Sequence, residues 1–230
     1  MSYSYGKSIV TDGLVFYVDA ANDNSYPGTG TTWSDLVGGN DGTFSATPTT
    51  DSANGGSIVF DGTDDTVSFT EFSTSGLSNF TLDVWVYIDN DPSDGTVIGQ
   101  WGGSTSRSFL IWWDVGVTAN FRFVVQNTSS QNTITSESND NANNNDWNHV
   151  VATFDSASEI KLYVNNVLTD TVSHASTPFT LKTTSGFEIG DDSSNFRWLD
   201  GKVSSAKIYN RVLSASEVTQ NYNALKNRFI

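Results

Sequence analysis

Glu71, Glu137, Glu159, Glu188 and Glu217 are the only glutamates in the 230 residues, and no two of them lie within five positions of each other. Cleaving a glycosidic bond by the common route takes two carboxyls about 5–9.5 Å apart, one on each side of it. Alternate residues of a strand share a face, so such a pair would show as closely spaced acids on one strand. No glutamate pair has that spacing, and nothing singles out an aspartate pair to replace it. The two histidines make no stronger case. His149 lies in "WNHVVATF", where alternation puts it with Trp147 and Val151, opposite Val150, Ala152 and Phe154. A histidine so placed reads as a hydrogen-bonded packing residue. His174 sits in the turn-like "SHASTP", and neither histidine has a serine or acid at triad spacing. With no cysteine, thiolate metal sites and cysteine nucleophiles are excluded as well. The chain reads as a non-enzyme.

Oxygen-rich loops are the second chemistry. Calcium takes six to eight oxygens from carboxylates, amides and carbonyls. The loops "VDAANDN" (Asp19, Asn22, Asp23) and "GDDSSN" (Asp191, Asp192, Asn195) offer such sets, so calcium is the expected cofactor if there is one. "DNDPSDG" (Asp89, Asp91, Asp94) starts like an EF-hand loop, but its glycine falls one place late and its twelfth residue is Gln100. "NDNANNNDW" carries Asp140 and Asp146 without defined ligand spacing. "FDGTDD" (Asp61, Asp64, Asp65) reads as a side-chain-capped turn.

Aromatic residues are the third. Seven tryptophans are many for this length. Trp112 and Trp113 are adjacent, so on a strand they point to opposite faces. Trp85, Tyr87, Trp101 and Trp198 sit where exposure is open to them, and sugars stack their C–H faces on exposed rings while Arg107, Arg122 and Arg197 reach hydroxyls. Trp85, Tyr87, Trp101, Trp112, Trp113, Trp198 and Arg197 are therefore the candidate glycan-binding residues. The competing role for these rings is inter-sheet core or a subunit interface.

The elements that must position these groups are strands. "GLVFYVDA", "FTLDVWVYI", "SFLIWWDV", "NFRFVVQN", "WNHVVATF" and "EIKLYVNN" recur between clusters of Gly, Asn, Asp, Ser and Thr, the pattern of an antiparallel sandwich or barrel. In "FTLDVWVYI", Phe80, Leu82, Val84, Val86 and Ile88 share one face; Thr81, Asp83, Trp85 and Tyr87 share the other. Asn165–Asn166 is a tight-turn signal. One helix is expected, over 214–228, opened by the capping box Ser214-x-x-Glu217. Its stripe Val218, Tyr222, Leu225 and Phe229 needs a surface, either its own sandwich or a neighbouring chain, and is the candidate interface. No linker or repeat divides the chain, which reads as one domain over 1–230 with an N-terminal arm at 1–12. Net charge is −15, and Asp supplies most of the acid. That charge argues against nucleic acid and anionic membrane as partners, and no apolar run is long enough to span a bilayer. "MSYSYGKSIV" lacks the regions of a signal peptide.

"SIVFDGTDDTVSF", "FTLDVWVYI", "WNHVVATFDSASEIKLYVNNVLTDT" and "FEIGDD…LDGKVSSAKIYNRVLSASEV" resemble, in order, the recurring segments of laminin-G-like domains of the concanavalin A-like lectin/glucanase superfamily. The resemblance runs from Gly13 to Tyr222. It implies a jelly-roll sandwich of two antiparallel sheets, often with one concave, that binds glycans or proteins, often with calcium; some relatives are glycosidases. The glycosidase relatives carry Glu-x-Asp-x-Glu or Glu-x-Asp-x-x-Glu on one strand, which is absent here. The family often has an Asp where this chain has Val203, Ser204 and Ser205. The opening, "SIVTDGLVFYVDAANDNSYPGTGTTWSDLVGGNDGTF", is similar to laminin-G-like segments in virion proteins of tailed bacteriophages. The resemblance therefore implies a non-catalytic virion surface protein: a capsid decoration, head fibre or tail-associated adhesin. Its partners would be other virion proteins, copies of itself, or a cell-surface glycan. The alternative is a free-standing, extracellular, calcium-assisted carbohydrate-binding module, and a glycoside hydrolase stands third.

Overall fold

The structure is a computed structural model that describes residues 8–73, 77–89, 94–101, 107–116, 120–127, 133–138, 144–174, 181, 185–191 and 197–229. In chain order the first strands are β1 (Leu14–Asp19), β2 (Thr32–Trp33), β3 (Gly42–Phe44), β4 (Thr49–Asp51) and β5 (Ser57–Asp61). There follow β6 (Val67–Ser73), β7 (Asn79–Ile88), β8 (Gly95–Trp101), β9 (Arg107–Asp114), β10 (Asn120–Gln126) and β11 (Thr133–Glu137). The last are β12 (Asp146–Asp155), β13 (Glu159–Val164), β14 (Val167–Ser173), β15 (Ser185–Ile189) and β16 (Asp200–Tyr209), before the helix α1 (Ala215–Leu225).

Every pairing is antiparallel, and the strands form two sheets of eight. The back sheet runs β14-β13-β12-β7-β16-β5-β4, and the front sheet β11-β10-β9-β8-β15-β6-β3-β2. β1 joins the back sheet beside the second half of β16, Asp19 facing Ser205, while β5 takes the first half, Val203 facing Ile58. This is the jelly-roll-like sandwich that the family resemblance implied.

The core lies between the sheets and is built by period-two burial. Phe80, Leu82, Val84, Val86 and Ile88 from β7 meet Phe109, Ile111 and Trp113 from β9 and Phe121, Phe123 and Val125 from β10. Edge-to-face contacts lock the aromatic part, as between Phe16 and Phe69 with centroids 4.9 Å apart. Asn165 and Asn166 take φ of 51° and 66°, the left-handed pair that a two-residue turn between β13 and β14 requires.

Beyond β16 the chain doubles back over the outer face of the back sheet. The capping box forms as expected: Ser214 Oγ accepts from Glu217 N–H at 3.4 Å, and Glu217 Oε2 accepts from Ser214 N–H at 2.8 Å. Arg211 adds a fork to the same carboxylate at 3.1 and 2.6 Å. Arg211 and the capping bonds from Ser214 outweigh partial burial and hold the Glu217 carboxyl down to about 2. Val218 of α1 sits on Val151, Tyr163, Tyr209 and Leu213, together with Val10 from the N-terminal arm. The helix ends at Leu225, and Lys226–Arg228 continue as a 3-10 turn. The candidate interface stripe is thus corrected: Val218 is 1% exposed, and Tyr222 and Phe229 stack on Trp85 of the same chain. Leu225 is half-buried. Trp85 points outward from its own sheet, and stacking on it covers Tyr222 and Phe229 without a second chain.

Candidate functional site

Alternation along β9 sends Ser108, Leu110 and Trp112 outward while Phe109, Ile111 and Trp113 go to the core. On β10 it sends Arg122 and Val124 outward. Register then sets Thr96, Trp112, Arg122 and Glu137 in one row across β8, β9, β10 and β11. Gly99, Leu110 and Val124 form the next row. A Cβ on Gly99 would stand 2.5 Å from Leu110 Cδ1, so only glycine lets that leucine lie flat on the sheet. Trp101, Leu110, Trp112 and Val124 make a small apolar cluster on this outer face, separate from the core.

Guanidinium groups flank the strip. Arg107 lies over the Trp101 ring at 5.3 Å from its centroid, and Arg122 and Arg197 approach Trp112 at 5.9 and 5.5 Å. Arg122 is fixed by Asp114 at 2.8 Å and Glu137 at 3.3 Å, and Arg197 stands 4.0 Å from Asp94. Among these groups Thr96 Oγ1, Trp112 Nε1, Asn120 Oδ1 and Arg107 Nε are buried without a hydrogen-bond partner among the described residues. An unmet buried donor or acceptor costs about 1–3 kcal/mol, and native structures rarely keep several together unless something else supplies the partners. Two N–H donors, a hydroxyl and an amide oxygen thus lie around an apolar strip, each shut off from solvent.

Of the candidate glycan residues, Trp101, Trp112 and Arg197 come together here, joined by Arg107 and Arg122. Trp101 and Trp112 are each only 8% exposed, so they do not offer open stacking planes, which corrects the expectation of exposed platforms. Trp113 is inward and 1% exposed, part of the core. Trp85 is on the opposite sheet and fully buried, stacked between His149 and Phe229. Tyr87 is also on the back sheet, half-buried, against Trp147 and under Lys202. Trp198 is half-buried in the segment leading into β16, whose Arg197 carbonyl accepts from Thr96 N–H at 2.8 Å. Thr96 and Asn120 were missed by the sequence reading. Their alternation was legible, but their lack of partners was not.

The loop candidates stay apart. Asp19 is buried, and its carboxylate takes Arg228 at 3.0 and 3.1 Å, the Tyr17 hydroxyl at 2.8 Å and Ala21 N–H at 3.0 Å. That guanidinium already neutralises the carboxylate, so Asp19 is corrected from an open ligand to an ion-pair partner. Asn22 caps its own turn through Asn24 N–H, and Asp23 is exposed. Asp191 is half-buried, while Asp192 and Asn195 lie outside the described residues, as do Asp91 and Asp140. Among the described residues no three His, Asp or Glu side chains group as metal ligands. Asp61 caps its turn through Thr63 N–H at 2.9 Å, as read from the sequence.

Residues 61–219 match the family model described as the concanavalin A-like lectin/glucanases superfamily. No match was found among curated proteins. Among solved structures, the binding domain of Paraclostridial mosquitocidal protein 1 is similar with a TM-score of 0.72 and 15% identity, over 92% of this chain and 52% of that one. Domain 4 of AbnA, a GH43 extracellular arabinanase from Geobacillus stearothermophilus, in complex with arabinotriose, is similar with a TM-score of 0.67 and 16% identity, over 91% and 98%. Trypanosoma rangeli sialidase in complex with sialic acid is similar with a TM-score of 0.68 and 17% identity, over 96% and 34%. The chain spans about half the length of the toxin binding domain and a third of the sialidase. At these identities the likeness shows the fold.

Proposed function

For a chain that belongs to the concanavalin A-like lectin/glucanases superfamily, we propose a non-catalytic, carbohydrate-binding role carried by the outer face of the front sheet. One observation carries it: the unpartnered Thr96 Oγ1, Trp112 Nε1, Asn120 Oδ1 and Arg107 Nε border an apolar strip flanked by guanidinium groups. Sugar hydroxyls are both donors and acceptors, and a pyranose ring adds apolar C–H faces, so one saccharide answers both features of the site. Of the carboxylates on this face, Asp114 and Glu137 are engaged by Arg122, which suits positioning better than proton transfer, and Glu188, beside Gly99, accepts from Ser68 Oγ at 3.4 Å. Burial raises the Asp65 and Asp200 carboxyls, as a general acid would need, but neither projects from β8–β11.

The setting we propose is the surface of a tailed-phage particle, with other virion proteins or copies of the chain as assembly partners, on the likeness of residues 8–44 to virion segments. The free-standing extracellular module is the alternative, and presence or absence of the chain in purified particles separates them. The function itself is tested on a glycan array, in calcium and then in EDTA, with Trp112→Phe beside the wild type. Reproducible binding to one sugar class, weakened about tenfold by losing the single indole N–H (~1.4 kcal/mol), is the expected result. Loss of signal in EDTA brings calcium into the site. Equal binding by Trp112→Phe removes this face from the function.

A further inference from the structure

The other outer face holds a reactive arrangement. Lys207 on β16 and Asp83 on β7 are register partners at the centre of the back sheet, and both side chains are fully buried. Lys207 Nζ is 3.0 Å from Asp83 Oδ1, with the Tyr17 ring beside it at 5.4 Å. Asn221, also fully buried, comes down from α1 and donates from Nδ2 to Asp83 Oδ2 at 2.7 Å. Its amide oxygen accepts from Val10 N–H at 2.8 Å. An amine and a carboxamide thus meet across one carboxylate, away from water, with a backbone N–H fixed on the amide oxygen.

We propose that Lys207 and Asn221 join in an intramolecular isopeptide bond, with Asp83 carrying the protons. The resting pair is an ammonium and a carboxylate in contact at 3.0 Å, and the step begins when a proton passes along that contact from Lys207 Nζ to Asp83 Oδ1. The free amine attacks Asn221 Cγ, and the Val10 N–H steadies the oxyanion that forms. The Nζ–Cγ bond forms and the Cγ–Nδ2 bond breaks. One further proton passes from Nζ through the carboxyl to the departing nitrogen, which leaves as ammonia. The proton first taken stays on Asp83, which then faces an amide rather than a cation. No oxidant or cofactor is consumed. The amine and the amide are held on the two oxygens of one carboxylate, so they need no encounter through solution. The product ties α1 covalently to the central strand of the sheet it covers.

The test is the mass of the purified full chain and of its tryptic peptides. The expected chain is lighter than its sequence by one ammonia, and digestion yields a branched peptide joining residues 203–211 to residues 212–226, uncut at Lys207. In Asp83→Asn both return to the sequence mass and to linear peptides. A wild-type chain that keeps its full sequence mass after prolonged incubation overturns the proposal, whatever the variant does. So does loss of ammonia with every peptide linear, which is succinimide formation. Loss of water instead overturns the choice of Asn221, since it makes Asp83 the acylated group. The result is independent of the carbohydrate reading.

Discussion

Thr81 and Thr96 occupy matching places on the two outer faces, and both are fully buried. Thr81 Oγ1 donates to the Arg211 carbonyl at 2.8 Å and accepts from Leu213 N–H at 2.9 Å, so it holds the link that leads into α1. Thr96 Oγ1 has no partner among the described residues. That contrast is local, since Trp85 Nε1, both His149 ring nitrogens and Ser205 Oγ on the back face are also buried without a hydrogen-bond partner among the described residues. On the back sheet, Asp83 collects Lys207, Asn221 and, at 3.2 Å, His149, and the helix closes over them. Burial alone would push the Asp83 carboxyl up, but Lys207 and His149 outweigh it and hold it below the usual range. On the front sheet the charges are paired at the margins and the polar groups between them wait for partners. The two faces differ in where their charges lie: at the buried centre beneath the helix on the back sheet, and at half-exposed margins on the front one.

The largest expected break in that contrast is Asp83→Ala. It leaves the Lys207 site buried without its carboxylate, and loss of one partner of such a pair costs about 3–5 kcal/mol. Urea unfolding that shows less than about 1 kcal/mol would mean the back face is not held by this network. Next come the two threonines, changed to valine at nearly constant volume. Thr81→Val should lose about 1–3 kcal/mol, because the Leu213 amide is left unpaired. Thr96→Val should be neutral or slightly stabilising while lowering glycan binding. Equal losses at both sites would erase the distinction. The smallest effect is at Glu217. Its carboxyl is held near 2 against 4.5 unfolded, so its contribution is complete above pH 4.5 and fades as pH falls toward 2. The gap between wild type and Glu217→Gln, about 1 kcal/mol at pH 7 after allowing for partial exposure, should close over that window. A gap constant from pH 7 to 2 would remove the ion pair as its source.

Much of this was legible residue by residue. The alternation in "FTLDVWVYI" assigned Thr81, Asp83, Trp85 and Tyr87 to one face, and so they lie. The capping box placed the start of α1 at Ser214. His149 was read as a packing residue, and it is buried against Trp85 with centroids 4.9 Å apart. Exposure was the part misjudged. Trp85 and Trp112 both point outward on equally regular strands, yet one is roofed by Phe229 and the other stands beside arginines from β10 and from the segment before β16.

The sequence by itself determined the strands, the side of each strand that faces the core, the helix and its start, because these follow from periods of two and 3.6 and from side chains that bond to their nearest backbone. Only the tertiary structure decided which outward face is closed. β16 lies in the middle of the back sheet, and the short link after Tyr209 returns the helix to that same sheet. The partners of Asp83 come from residues 124 and 138 positions away, a distance over which no local pattern carries information.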